Sequence, residues 1–338
     1  MIATTRRMLL GATLAAPSLA MPGPVRAQEV RAQEARAQEA WPQRAVTLVV
    51  PFAPGGPVDN VARPVAEGLR RALGQTVIVE NRAGAGGLVG TRIVAAARPD
   101  GYSMLVGSPG PLIIAPAAGA ADSPDPLQAL APVALIADSP QILAVTNALP
   151  ATDLASFVAL AKARPGALNL GSAGIGTTPH LAMELLAQLA GIQMEHVPYR
   201  GTGAALPDLI GGKIDALFGD ISALLPLLEA GSVRALAITA DARSPLAPAI
   251  PTTAELGFPA LVVRNFQALL APAGTPDAIL QRMAAALAEA LGDSQVAAAL
   301  ARIGSQPARS GPAHLAHYLA AERATWEPVI RRIGLRLN

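Results

Sequence analysis

The segment Val46-Thr-Leu-Val-Val-Pro-Phe-Ala-Pro-Gly-Gly-Pro-Val-Asp59 constrains the fold more than any other stretch of the chain. An apolar, β-branched run, Val46 to Val50, stops at Pro51-Phe52-Ala53-Pro54-Gly55-Gly56. A helical period follows at once, with Val58, Ala62, Val65, Ala66, Leu69 and Leu73 spaced by threes and fours. A buried strand therefore runs through a glycine turn into a helix. The first N–H groups of such a helix have no intrahelical partner and sit at the positive end of its dipole. Glycine lets a ligand approach that backbone, so the unit is suited to an anion, a carboxylate or a phosphate.

The N-terminal residues read as a targeting segment. Thr5-Arg6-Arg7-Met8-Leu9-Leu10 opens an apolar stretch to about Ala20, followed by small-residue cleavage sites, in the pattern of a twin-arginine export signal over residues 1–27. Residues 28–40 form a polar leader containing Arg-Ala-Gln-Glu repeats, and Val25-Arg26-Ala27 predicts a mature start at Gln28. Cleavage there removes three of the 26 basic residues and none of the 24 acidic ones, turning a net charge of +2 into −1. That balance gives no electrostatic basis for nucleic-acid binding. No later apolar run reaches the roughly 18 residues of a membrane span. The absence of cysteine excludes a disulfide framework, a thiolate metal site and a lipid-modified N-terminal cysteine. The expected location is the periplasm, without a lipid anchor.

Strand-like and helix-like segments alternate, which predicts α/β layers with mainly parallel strands. Strands are expected at Thr76–Glu80 and Tyr102–Val106, with Gly84-Ala-Gly-Gly87 leading into a helix over 88–97 and an irregular loop over 109–126. A second block starts near Ala134, with strands at Ile142–Thr146, Leu168–Leu170, Glu195–Pro198, Ile214–Phe218 and Val233–Thr239. Its second glycine turn, Gly171-Ser-Ala-Gly-Ile-Gly-Thr-Thr178, also enters a helix. The Pro-rich segment Arg243–Pro251 reads as a return crossing, followed by a strand over 262–270 and helices over 276–291 and 312–332. The implied layout is two α/β lobes joined by two crossings: lobe 1 from 41–133 and 252–338, lobe 2 from 134–251.

At this point the motifs resemble a known family. Pro51-Phe-Ala-Pro-Gly-Gly-Pro-Val-Asp59, Val79-Glu-Asn-Arg-Ala-Gly-Ala-Gly-Gly87, Pro99-Asp-Gly-Tyr102, Ser172-Ala-Gly-Ile-Gly176 before His180-Leu181, and His196-Val-Pro-Tyr-Arg-Gly201 occur in order. Leu209-Ile-Gly-Gly212, Ala235-Leu-Ala-Ile-Thr239, Pro251-Thr-Thr-Ala-Glu-Leu-Gly257 and Ala271-Pro-Ala-Gly-Thr-Pro276 continue the series. Together they resemble the substrate-binding proteins of tripartite tricarboxylate transporters, the Bug family, from about Trp41 to the C-terminus. Pro64 inside the first helix, Arg200 where lysine is frequent, and Ile175 in place of a common polar residue depart from that pattern.

The resemblance implies a type II-like periplasmic binding fold with a ligand cleft between the lobes and no cofactor. It also implies capture of a small organic carboxylate and delivery to transporter membrane components, or presentation of the closed form to a sensor kinase, by a monomer. It places Phe52, Ala53, Gly55, Gly56 and Asp59 of the first turn at the ligand, with Ser108. From the second lobe it places Ser172, Gly174, Gly176 and Thr177, with Tyr199, Gly201 and Asp220. Read physically, Phe52 is either an apolar wall or core, and Asp59 either a ligand contact or a first-turn helix acid. A dinucleotide site at Gly84-x-Gly-Gly lacks the full spacing. A hydrolase built on Ser172, His180 and Asp220 lacks a Gly-x-Ser-x-Gly elbow, which leaves those residues as polar contacts and a packed histidine. His314 and His317 read as a solvated helix face rather than a metal site.

Overall fold

The computed structural model describes residues 41–119, 125–199, 201–308 and 310–336. The export signal, the repeat leader and Arg200 lie outside the described residues. The architecture below is that of residues 42–338.

Strands β1 (Val46–Val50), β2 (Val77–Asn81) and β3 (Ser103–Gly107) alternate with helices α1 (Pro57–Leu73) and α2 (Leu88–Ala95). Helix α1 buries Val58, Val61, Ala62, Val65, Ala66 and Leu69, and it stops at Gly74, whose φ of 65° suits a glycine C-cap. It runs uninterrupted through Pro64. β4 (Leu130–Thr146) then leads through α3 (Leu154–Ala163), β5 (Asn169–Ser172), α4 (Thr178–Ala190), β6 (Glu195–Pro198) and α5 (Thr202–Ile210). Next come β7 (Ala216–Asp220), α6 (Ile221–Glu229), β8 (Val233–Ile238), β9 (Arg264–Pro272), α7 (Asp277–Gly292), α8 (Ser294–Arg302), β10 (Gln306–Pro307) and α9 (Pro312–Arg332).

The main path of the sheet is β2-β1-β3-β9-β4-β7-β5-β6. Its two ends are parallel, as the strand–helix alternation predicts, with β1 beside β2 and β3, and β5 beside β6 and β7. Its middle is antiparallel, because β9 returns between β3 and β4 and β7 lies against the far half of β4. β4 belongs to both halves. Residues up to Pro140 pair with β9, and from Gln141 onward with β7. Proline has no N–H to donate to a ladder, so the change of partner falls where a ladder must break. Thr239, just after β8, ties this point of β4 to the segment that enters β9: its Oγ1 donates to the Val263 carbonyl at 2.6 Å and accepts the Gln141 N–H at 3.0 Å.

Three parts differ from the sequence reading. The strand expected at Ile142–Thr146 is the second half of a 17-residue strand. Pro132 and Pro140 disguise the first half. Register shifts between Pro132 and Ala134 and between Leu135 and Ala137 accommodate irregular pairing there. The segment 109–126, expected to be irregular, contains a wide helical turn at Gly110–Ile114 that buries Pro111, Leu112, Ile113 and Ile114. Helix α8 follows α7 where the sequence pattern predicts no helix. Asp293 starts it by accepting the N–H groups of Gln295 and Val296.

Candidate functional site

Strand direction places the turns. β1 and β3 run parallel to the first half of β4, so their C-terminal ends advance toward Pro140. β7 runs against β4, with Asp220 opposite Gln141, and β5 and β6 follow β7. The turns after β1, β3, β5, β6 and β7 therefore approach the change of partner from opposite sides. In α/β sheets the carboxyl ends of the strands are where ligands bind.

The first turn is held by a buried acid. Asp59, 1% exposed, accepts from the Gly55 N–H (2.8 Å), Arg63 Nε (2.8 Å), a terminal Arg63 nitrogen (2.9 Å) and Asn81 Nδ2 (2.9 Å). Burial works to raise its pKa, but Arg63, the Gly55 N–H and Asn81 outweigh it and hold the carboxyl below the usual range. Asn81 also donates to the Phe52 carbonyl at 3.0 Å. The Asp59 carboxylate is thus saturated by the turn, α1 and β2 together, and one of the turn's N–H groups is already used. The start of α1 itself carries no side-chain cap. The Phe52 ring lies against Gly87, where a Cβ would stand 3.0 Å from Cζ. Ala53 is exposed, and Ser108 is buried at the end of β3.

The second turn is organised by two histidines. Ser172 Oγ is 2.6 Å from His196 Nε2, and it accepts the Gly174 N–H at 3.0 Å. Thr177 Oγ1 donates to the Gly174 carbonyl at 2.7 Å. The Gly176 N–H donates to His180 Nδ1 at 3.2 Å, and the His180 and His196 rings stack with centroids 4.0 Å apart. Gly174 and Gly176 have φ of 129° and 71°, conformations that glycine adopts at little cost. The start of α4 has no side-chain cap. Tyr199 donates its hydroxyl to Asp208 at 2.8 Å, and Gly201 begins α5. Ser172, His180 and Asp220 do not form a catalytic relay: Ser172 pairs with His196, His180 with Gly176, and Asp220 with Gln141 and Asn265.

Burial first, and the neighbouring His196 second, push the His180 pKa down to about 4. Below about pH 6.5 the unfolded chain takes up a proton at this position that the folded chain does not. Stability is therefore expected to fall, by an amount on the order of 3 kcal/mol, as pH drops from about 6.5 to 4. Urea unfolding across that range measures the loss. His180→Gln keeps an acceptor without titrating and is expected to flatten the slope; an unchanged slope refutes this account.

A cavity of about 330 Å³ lies between the first turn and the end of β7. Gly55, Pro57 and Asn60 line it from the first turn and α1, and Asp220 and Ser222 from the end of β7 and α6. Ser139, Asn265 and Gln267 come from the central strands, and Arg302, Ile303 and Ser305 from the end of α8 and beyond. Asp220 occupies the N-cap position of α6 but does not cap it. Its carboxylate instead accepts from Gln141 Nε2 and Asn265 Nδ2. Burial pushes its pKa up, those two hydrogen bonds pull against it, and no cation contributes.

Of the residues singled out from the sequence, Gly55 and Asp220 line this cavity. Phe52, Ala53, Gly56, Asp59 and Ser108, in the turns after β1 and β3 and the start of α1, are not among its lining residues. Ser172, Gly174, Gly176, Thr177, Tyr199 and Gly201 lie in the turns of the second half. Sequence reasoning missed Asn265 and Gln267. A signal existed: they alternate with Phe266 and Ala268, so one face of a buried strand is polar. It also missed His196 as the partner of Ser172, a pairing made only by the register of β5 with β6.

With the geometry established, the chain compares closely with known proteins. It is 36% identical over 299 residues to protein BugT of Bordetella pertussis, covering 88% of this chain and 92% of that protein. MatC of Rhodopseudomonas palustris, solved with bound malate, superposes with a TM-score of 0.73 at 36% identity over 86% of this chain and 100% of its own. A second R. palustris protein, solved with adipate, gives 0.76 at 35% identity over 88% and 99%. Residues 61–335 match the family described as the tripartite tricarboxylate transporter family receptor, TctC. The chain belongs to this family of solute-binding receptors.

Proposed function

We propose that this protein is a periplasmic receptor that captures a small organic carboxylate between two lobes, without chemical turnover, and delivers it to a tripartite transporter. The lobes meet at the Pro140–Gln141 and Thr239–Val263 crossings. The observation that carries the reading is the pair of uncapped helix starts, α1 and α4, brought by strand direction to opposite sides of one crossing. N–H groups at such helix starts attract a carboxylate, and closure around it yields charge-assisted hydrogen bonds shielded from water. Asp59, Ser172 and His180 act in this reading as supports that shape the turns by engaging the N–H groups of Gly55, Gly174 and Gly176, with Thr177 holding the Gly174 carbonyl, and Gly56 and the first-turn N–H groups of α1 and α4 are left to face the ligand. The malate- and adipate-bound relatives support a carboxylate as the ligand class.

A thermal-shift screen of the mature protein against a carboxylate panel tests this. A true ligand at about 100 times its dissociation constant is expected to add about 2.7 kcal/mol of stability and to be recovered unchanged. A panel in which no carboxylate stabilises the protein, or a ligand recovered chemically altered, refutes the reading.

A further inference from the structure

The cavity is not uniformly suited to an anion. Its Asp220 wall carries a carboxylate whose partners are two neutral amides, with no cation acting on it. Gln267, 2% exposed, lines the same cavity, and its Oε1 has no hydrogen-bond partner. Asp220 also forgoes the cap of its own helix, so its orientation toward the cavity is not explained by local structure. Burial pushes the Asp220 pKa up while its place at the positive end of α6 opposes that, and an ammonium set beside it favours the ionised form. A desolvated carboxylate without a cation and a buried carbonyl oxygen without a donor are both costly arrangements. A group with several N–H donors and a positive charge relieves both. Across the cavity, Gly55 and Asn60 belong to the helix start that attracts negative charge. Arg302 stands at the rim and forms no ion pair among the described residues.

We propose that the ligand is a carboxylate that also bears an ammonium group, an amino acid in the broad sense, with Asp220 and Gln267 receiving the ammonium. This rests on the receptor reading above and narrows it. A plain dicarboxylate would set a second negative charge against Asp220, and a hydroxyl would supply one donor where an ammonium supplies three.

The test is titration calorimetry at pH 7 with a matched panel. Each acid is set beside its 2-hydroxy and 2-amino counterparts: propionate with lactate and alanine, succinate with malate and aspartate, adipate and phenylpropionate likewise. The tightest ligand is expected to be an amino member, binding about tenfold or more tighter than its plain and hydroxy counterparts. Asp220→Asn, nearly isosteric but uncharged, is expected to bring the amino-over-plain ratio toward one. Should that variant fail to fold, the ranking by the wild-type protein decides alone. If plain or hydroxy acids bind as tightly as or more tightly than their amino counterparts, Asp220 does not read a cation and the proposal falls while the receptor reading stands. If no member binds, both fall.

Discussion

Gly56→Asp is expected to abolish carboxylate binding while leaving the protein folded. Gly56 has φ −75° and ψ 170°, ordinary extended backbone, and a Cβ there would find only the Ala53 carbonyl oxygen, at 3.4 Å. Neither strain nor collision accompanies the substitution. An aspartate at this position is also a good N-cap, and it would accept the very N–H groups of α1 assigned to the ligand. It thus places a negative charge where the ligand's charge belongs and occupies the ligand's donors. Like charges brought together at a desolvated site cost several kcal/mol, so affinity is expected to fall by more than about 100-fold. Gly56→Ala carries the bulk without the charge and is expected to lose far less. Gly176→Asp is expected to show a similar loss of binding with some loss of stability, because φ is 71° there and a side chain is strained. Calorimetry with the best ligand of the panel, beside circular dichroism, measures both. A folded Gly56→Asp protein that binds like wild type would show that the first turn is not the carboxylate site.

Asp59→Ala is expected to destabilise the protein by about 2–3 kcal/mol, measured by urea unfolding. The substitution removes four hydrogen bonds at a buried point and frees the first turn from both α1 and β2. The cost stays below that of a fully buried ion pair because Arg63 is half exposed and returns to water. Asp59→Asn keeps the shape and is expected to lose less. The pH dependence has a definite sign. The folded pKa is lowered, so the contribution is complete above the unfolded value of about 4 and is lost as pH falls through the lower folded value. The acid limb of the stability curve below about pH 4 is therefore expected to be shallower in Asp59→Asn. A loss under about 0.5 kcal/mol in Asp59→Ala, the range of ordinary surface substitutions, would contradict the saturated-acid account.

Much of this fold is written locally. Val46–Val50 alternates into the glycine turn and the period of Val58 to Leu73, and each of those signals acts over a few residues, so the sequence suffices to determine the unit. The same holds for the turn into Thr178–Ala190, for strand Glu195–Pro198, found over the residues expected, and for the family motifs that occur in order along the chain. Other features depend on partners far away in the chain. The length of β4 was hidden because prolines weaken a strand locally, whereas here β9 on one half and β7 on the other supply the pairing that keeps Leu130–Thr146 extended. The antiparallel centre of the sheet follows from where β9 inserts, which no local pattern encodes. Asp59 could be read from the sequence only as a choice between ligand contact and helix acid. Its four donors, one of them Asn81 from a neighbouring strand, decided for a structural tie. Asp220 followed the opposite course. Its sequence position is that of an N-cap, and only the meeting of β4, β7 and β9 turns it toward Gln141 and Asn265 at the cavity. Short-range periodicity and turn chemistry are properties of a segment and survive reading in isolation; burial, charge compensation and the direction of a side chain are set by what the rest of the chain packs around it.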